Sequence, residues 1–352
     1  LFRSSAASDV YKRQHLVRFV ELTLPCPLDA GWEVVRTVDL PKRGADGSPL
    51  GGFSAAAYQP ELDRLWLLSD APRGHLIPWS GLSQLLNGQT TSLNPGSRLL
   101  IRDEFGHPLP EGFDGEGLVL IGSSAWIASE GRRTPDRVAR LIRININTGR
   151  QQQVLQLPSS WMELSGRGLA TNQGPESLTA LAPAELLFAA ERPLLQSKDP
   201  LLVPIARVNQ GTEVRPESTL QIQLLKNGAG LTELLALPAQ RKLLALVRGF
   251  QPPLTWSAQL LLFPYPSGTD STPPLQPLHG WNLLTAGLPA DNWEALAIGP
   301  KLRDGRTTMI LGSDDNFNPR QSSWLAVMAP RRSEACYYSV SYTHLTLPTN
   351  GT

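Results

Sequence analysis

Residues 116–130 read EGLVLIGSSAWIASE: an acidic residue, an apolar run, a turn, and a second apolar run closing on another acidic residue. The same pattern returns in FSAAAYQPELDRLWLLSD (53–70), ESLTALAPAELLFAAE (176–191), ELLALPAQRKLLALVR (233–248) and EALAIGPKLRDGRTTMILGSD (294–314). The leading residues Ser54, Glu116, Glu176, Glu233 and Glu294 stand 62, 60, 57 and 61 positions apart. A period near sixty, carried by short apolar runs, is the signature of propeller blades rather than of a helical array. The expected fold is therefore all-β: a beta-propeller of five or six blades, each a four-stranded antiparallel sheet.

The pattern also bears on function. In an antiparallel hairpin the start of the first strand lies beside the end of the second, so Glu116 should approach Glu130 and Glu176 should approach Glu191. The first strand of each propeller blade lines the central channel, which would bring these residues from all blades to one face of the ring. An acidic cluster around the channel mouth is the expectation.

Between the paired runs, Pro and Gly (31 and 30 residues) separate further strand candidates at residues 75–80, 98–103, 139–146, 152–157, 202–208, 220–225, 257–265 and 324–328. Residues 32–40 (WEVVRTVDL) could pair near 324–328 and close the ring with both ends of the chain. The plainer reading of residues 231–246 is an amphipathic helix, since Leu and Ala favour helices, but the repeat register places strands there.

Residues 1–14 (LFRSSAASDVYKRQ) and 336–352 (CYYSVSYTHLTLPTNGT) resemble translated sequencing adapters of the kind attached to metagenome-derived reading frames, which leaves 15–335 as one propeller domain. The chain carries 32 basic and 31 acidic residues, for a net charge of +1. Without Arg3, Lys12, Arg13 and Asp9 the balance is 29 against 30, so neither a nucleic-acid footprint nor a polybasic membrane patch is implied. No apolar stretch approaches the length of a transmembrane helix. With Cys336 set aside in the tail, Cys26 stands alone, and no disulfide or cysteine-based zinc site is expected.

GGFSAAAYQPELDRLWLLSD, FDGEGLVLIGSSAWIASEG, NQGPESLTALAPAELLFAAER and NWEALAIGPKLRDGRTTMILGSDDNFNP, in this order and spacing, resemble the phytase-like family described as having esterase-like activity of phytase. The resemblance spans about residues 31–330, and its most specific parts are residues 172–178 (NQGPESL) and 313–318 (SDDNFN). It implies a secreted or periplasmic bacterial propeller and hydrolysis of a phosphoester or carboxylic ester. The chain departs from the family pattern in its first blade, where Gly52, Phe53, Ser54, Ala55 and Ala56 replace a Gly-Leu-Ser-Gly-Leu start, and in its fourth, which closes on Arg248 instead of a carboxylate.

Hard cations such as calcium take six to eight oxygen ligands. The candidate set is accordingly Glu116, Glu176 and Glu294 as catalytic residues, and Glu130, Glu191, Asp314, Asp315 and Asn316 as metal ligands for a possible calcium. Arg73, Arg132, Arg192, Arg248 and Asn172 would bind substrate. No organic cofactor is expected, the partner is a small-molecule ester or anionic ligand, and the protein is expected to be a monomer. The competing reading is a ring of carboxylates that cap backbone amides or pair with Arg73, Arg132, Arg133, Arg192 and Arg248, in a non-catalytic propeller that binds a ligand or a protein partner.

Other chemistries find no support. There is no G-x-S-x-G elbow; His75, His107 and His279 lack metal-ligand spacing and read as loop or surface residues. Ser54 as a nucleophile is a minor alternative, and the Gly runs 44–52 and 112–117 read as turns. Trp66, Trp126 and Trp324 read as packing between blades, and Trp161, Trp256 and Trp281 as weaker candidates for a ligand platform.

Overall fold

The computed structural model describes residues 21–131, 138–253, 255–267, 273–333 and 336. Strand β1 (Trp32–Asp39) comes first. Blade 1 holds β2 (Phe53–Gln59), β3 (Arg64–Ser69), β4 (His75–Ser80) and the short β5 (Asn94–Pro95) and β6 (Leu99–Leu100). Blade 2 holds β7 (Gly115–Ile121), β8 (Ser124–Ser129), β9 (Arg140–Asn145) and β10 (Gln151–Gln156). Blade 3 holds β11 (Pro175–Ala182), β12 (Glu185–Ala190), β13 (Leu202–Asn209) and β14 (Glu213–Gln221). Blade 4 holds β15 (Gly230–Leu237), β16 (Lys242–Gln251), β17 (Thr255–Pro264) and β18 (His279–Asn282). Blade 5 is built from β19 (Trp293–Lys301), β20 (Thr307–Ser313), β21 (Trp324–Pro330) and β1.

The ring closes as expected. β1 pairs antiparallel with β21, from Trp32 opposite Pro330 to Asp39 opposite Trp324. Each of the inner strands β2, β7, β11, β15 and β19 packs on its two neighbours, with β19 returning to β2. The architecture is a five-blade propeller.

Each blade is sandwiched between two others, so its middle strands are buried on both faces and read as continuous apolar runs rather than alternating ones. All six residues of β8 (SAWIAS) and all seven of β20 (TTMILGS) are buried. The core is a set of interfaces between blades. Leu187, Val203, Leu231 and Leu243 join blades 3 and 4, and Trp66, Leu68, Leu118 and Ile127 join blades 1 and 2. Trp126 packs between blades 2 and 3.

The helical alternative for 231–246 fails because Pro238 and a left-handed Arg241 (φ 50°) break the run into a hairpin. The strand expected at 220–225 lies earlier, at Glu213–Gln221, and a 3-10 turn occupies Gln223–Asn227. β14 is an outermost strand facing solvent on one side, so its polar sequence EVRPESTLQ hid it. No helix among the described residues is long and apolar enough to cross a membrane.

Cys26 and Cys336 form a disulfide, against the expectation of an isolated thiol. The reason is topological: pairing of β1 with β21 carries on beyond the strands, with the Cys26 N–H donating to Arg331 O at 3.0 Å, and brings together segments 310 residues apart. Cross-linking so long a loop removes denatured-state entropy worth on the order of 3–5 kcal/mol. Reduction, or Cys26→Ser, is therefore expected to lower the melting temperature by several degrees in a thermal scan; an unchanged midpoint would show that the seam holds without it.

Candidate active site: an acidic ring at the channel mouth

Every inner strand carries a bulge near its start, where one residue is skipped in the pairing. The skipped residues are Ser54, between Phe53 and Ala55; Glu116, between Gly115 and Gly117; Glu176, between Pro175 and Ser177; Thr232, between Leu231 and Glu233; and Glu294, between Trp293 and Ala295. A bulge re-aims the extra side chain and recurs beside active sites. Opposite these starts lie the ends of the second strands. The N–H groups of Asp70, Glu130, Glu191 and Asp314 donate to the carbonyls of Gly52, Asp114, Gly174 and Asn292 at 2.8–2.9 Å, and Arg248 pairs with Gly230. Five bulges and five strand ends thus build one ring of ten positions, holding seven carboxylates and one guanidinium.

This register corrects the reading of blade 4. Its equivalent of Glu116 and Glu176 is Thr232, whose hydroxyl lies 3.4 Å from Trp293 O. Glu233 leaves the ring and sits 1% exposed between two inner strands. One of its oxygens accepts the N–H groups of Leu178 and Leu234 at 3.0 and 2.9 Å, and the other has no partner. Burial pushes its pKa well above the ordinary carboxylate value, so it is held as the acid.

Glu116, Glu176 and Glu294, far apart in sequence, do converge. All three are buried, and the charges of Glu176 and Glu294 both act on Glu116. Burial first, and then these neighbours, hold Glu116 well above the usual range. Burial, Glu130 and Glu191 do the same for Glu176, and burial with Glu294 and Asp70 for Asp314. Burial lifts Glu191 even though Arg248 opposes it. Asp70 is pushed up to about 7, by burial and then Asp114, Glu294 and Asp315. Glu130 is also pushed up to about 7, chiefly by burial. Burial is the leading cause for each of these groups, and the crowding of like charges adds to it, since a like-charge pair at 4 Å costs about 4 kcal/mol near a protein surface.

Two features organise the ring. Glu130 and Glu176, on neighbouring blades, act on each other: the charge of Glu130 raises Glu176, and interaction with the Glu176 side chain partly offsets the burial of Glu130. Arg248 donates to Glu294 Oε1 at 2.8 Å and lies 3.8 Å from Glu191, bridging blades 3, 4 and 5. Burial alone would lower the pKa of Arg248, but Glu294, Glu191 and Glu176 more than offset it, so the guanidinium stays charged. Asn292, which no sequence pattern singles out, donates to Glu294 Oε1 at 2.9 Å from the residue before β19.

Several carboxylates also clasp the next blade. Glu130 Oε1 accepts the N–H of Gly174 at 2.8 Å, and Asp315 Oδ1 accepts that of Gly52 at 2.9 Å. A Cβ on Gly174 would come within 2.6 Å of Glu130 Cγ, so the glycine is what lets the carboxylate in. Amide capping and Arg pairing, the structural alternative, thus coexist with the convergent ring.

Other expected site residues lie apart from it. Asn316 is exposed in a turn with φ 48°, and its N–H donates to Asp314 at 2.8 Å. Arg73 is exposed and pairs with Glu111 at 3.3 Å. Asn172 is exposed with φ 58° in the turn before β11. Arg192 is half-buried, donates to Gly228 O at 2.5 Å and acts on Glu191. Arg132 and Arg133 lie outside the described residues. Among the histidines, His75 is buried at the start of β4, with Nδ1 2.9 Å from Arg73 O, and is not a surface residue. Trp161 and Trp281 are buried packing residues and not platforms, Trp161 stacking edge-on to Phe188 and Trp281 to Trp32.

For a cation the donor chemistry suits calcium, with an excess of hard oxygen ligands. Their arrangement is not a ready cage: among the described residues no three His, Cys, Asp or Glu groups converge as metal ligands.

Residues 48–317 match the family model described as Phytase-like: Esterase-like activity of phytase. The chain belongs to the phytase-like family. No curated protein matches it. Solved structures similar to this phytase-like chain include the soluble aldose sugar dehydrogenase of Escherichia coli in the apo-form, 10% identical over 86% of this chain and 99% of that one, with a TM-score of 0.47. The endo-arabinase of Bacteroides thetaiotaomicron is 11% identical over 90% and 99%, with a TM-score of 0.45.

Proposed function

We propose that this phytase-like protein is an ester hydrolase working at the acidic mouth of its channel, with a carboxylic ester as substrate. The observation that carries the reading is the convergence of Glu130 and Glu176, from neighbouring blades, inside a buried ring of carboxyls. Two neighbouring carboxyls, one pushed up to about 7 and the other raised by burial and then by its neighbour's charge, are the parts of acid–base catalysis. Glu130 would take a proton from water as its oxygen attacks the ester carbonyl carbon. Glu176 would give its proton to the departing alkoxide, so that acid and alcohol leave and the pair is reset by proton exchange. Glu116 and Glu294 complete the ring, and Arg248 is the one guanidinium in it that can face developing negative charge.

A phosphoester fits the same mouth only with a cation to offset the carboxylates. Calcium, held by members of the set Glu130, Glu191, Asp314, Asp315 and Asn316 after side-chain rotation, would supply that charge. A site outside the cytoplasm, periplasmic or secreted, is supported by the Cys26–Cys336 disulfide.

The test is a screen of purified protein against acyl esters and phosphoesters with and without calcium, with bound metal measured in parallel. Acyl-ester turnover that survives chelation is expected. Turnover of phosphoesters alone, lost on chelation, would replace this mechanism by the calcium one. Calcium is also expected to raise the melting temperature more at pH 8 than at pH 5, because ionised carboxylates bind it; equal effects would remove calcium from the ring. A second reading, a non-catalytic binding ring, is favoured by the inter-blade clasps of Glu130 and Asp315. Saturable ligand binding with no product from any ester would establish it.

A further inference from the structure

Of the eight exposed large apolar side chains among the described residues, Met162, Leu164, Leu195 and Phe317 lie in connections at the mouth end, Phe250 lies near the mouth end of β16, and Phe105 lies in the β6–β7 connection. Leu62 and Leu278 lie in connections at the opposite end. Exposed apolar groups scattered singly need no explanation, whereas their concentration on one face marks an interaction site. Two groups lie beside the acidic ring. In blade 4 the hairpin of β16 and β17 continues past Arg248, and two residues further on, about 7 Å along the strand, Phe250 stands opposite Trp256. Their rings lie 4.5 Å apart at 41°, and Phe250 is 40% exposed.

Phe317 is the second group. It is 40% exposed in the β20–β21 connection, directly after Asn316, and both residues are left-handed (φ 48° and 50°). Such a conformation is costly for a non-glycine residue and persists only where the surroundings impose it. Here the Asp315 carboxylate imposes it by accepting the N–H groups of both Gly52 and Phe317. The phenyl ring is thereby laid over Gly52, where a Cβ would collide with it and with the ring carboxylate of Asp70.

We infer that Phe250, Trp256 and Phe317 form a subsite for the apolar acyl or aryl part of a neutral carboxylic ester, held on the rim while the carbonyl reaches the acidic ring. Charge gives an anionic occupant no partner: Arg248, the one guanidinium of the ring, is already paired with Glu294 and Glu191, so a phosphate or carboxylate at the rim would have to displace them. A neutral apolar group instead buries the aromatic faces that the mouth leaves in water. The inference rests on the ester-hydrolase reading and names its substrate class.

The experiment measures KM and kcat for 4-nitrophenyl esters from acetate to octanoate, and the affinity for 2-octanone, an apolar carbonyl compound that cannot be hydrolysed. Wild type, Phe250→Ala with Trp256→Ala, Phe317→Ala, and Leu62→Ala on the opposite face are compared. KM is expected to fall as the acyl chain lengthens in wild type and in Leu62→Ala. In the rim variants the octanoate KM should rise about tenfold, with a smaller change for acetate, and 2-octanone should bind correspondingly more weakly. Identical chain-length dependence and identical 2-octanone affinity in all variants would overturn the subsite. If no ester is turned over, the 2-octanone affinities still decide it: rim-dependent binding keeps the subsite and removes the hydrolase, and rim-independent or absent binding removes both.

Discussion

Glu176→Gln is expected to leave a folded propeller whose ester turnover is slower by a factor of about 10²–10⁴, the range for loss of a positioned acid–base group. Glutamine keeps the size of the side chain and a donor toward Glu130, so the inter-blade contact survives while the transferable proton does not. The loss should fall on kcat, with KM little changed, because the proton moves only as the ester bond breaks. Glu176→Ala should be as inactive and also less stable, since it opens space beside a buried carboxylate. Wild-type kcat in Glu176→Gln, with the fold intact by circular dichroism, would take Glu176 out of the chemistry.

The stability of this chain should fall as pH rises from about 5 to about 8, the reverse of the usual behaviour of a domain rich in paired carboxylates. Asp70 and Glu130 titrate near 7 when folded, against ordinary values of 3.8 and 4.5. Between those limits the folded state therefore binds more protons than the unfolded chain, and unfolding free energy must decrease with pH. Stability from these groups is fully present below their unfolded values and is lost as pH passes through about 7. Glu116, Glu176, Glu191, Glu233 and Asp314 are raised in the same direction. A tenfold change in proton affinity is worth at most about 1.4 kcal/mol of stability, so together these groups contribute a few kcal/mol and several degrees in Tm. Asp46 and Asp103, in surface turns, are lowered by local hydrogen bonds and work only in the acid range below this window. Thermal scans at pH 5 and pH 8 check the sign, and Asp70→Asn should flatten the slope. A higher Tm at pH 8 without added cation would mean that the ring is ionised and compensated in some other way.

What could be read in the sequence was whatever depends on burial of a repeating unit. LWLLS, SAWIAS, LLFAA and TTMILGS are apolar on both faces because each lies between two blades, and their spacing of about sixty residues counts the blades. The leading Glu116, Glu176 and Glu294 were legible for the same reason, since they precede such runs at a constant offset. The closing strand at the N-terminal side was legible as one more apolar run with no blade of its own.

Tertiary structure decided the rest. Blade 4 presents Thr232 to the ring and tucks Glu233 between strands because a bulge shifts the register by one residue, and a one-residue shift moves a side chain to the other face. Nothing local in LTELLAL distinguishes the two. Arg248 holds carboxylates of blades 3 and 5 only because the ring is closed. Cys26 meets Cys336 only because β1 joins β21. The polar outer strand of blade 3, EVRPESTLQ, carries too little apolar surface to declare itself before a neighbouring strand supplies its hydrogen bonds. Periodicity in a chain records which faces must leave water; which charged groups then meet, and which of them keep a proton, is set by long-range closure that no local pattern encodes.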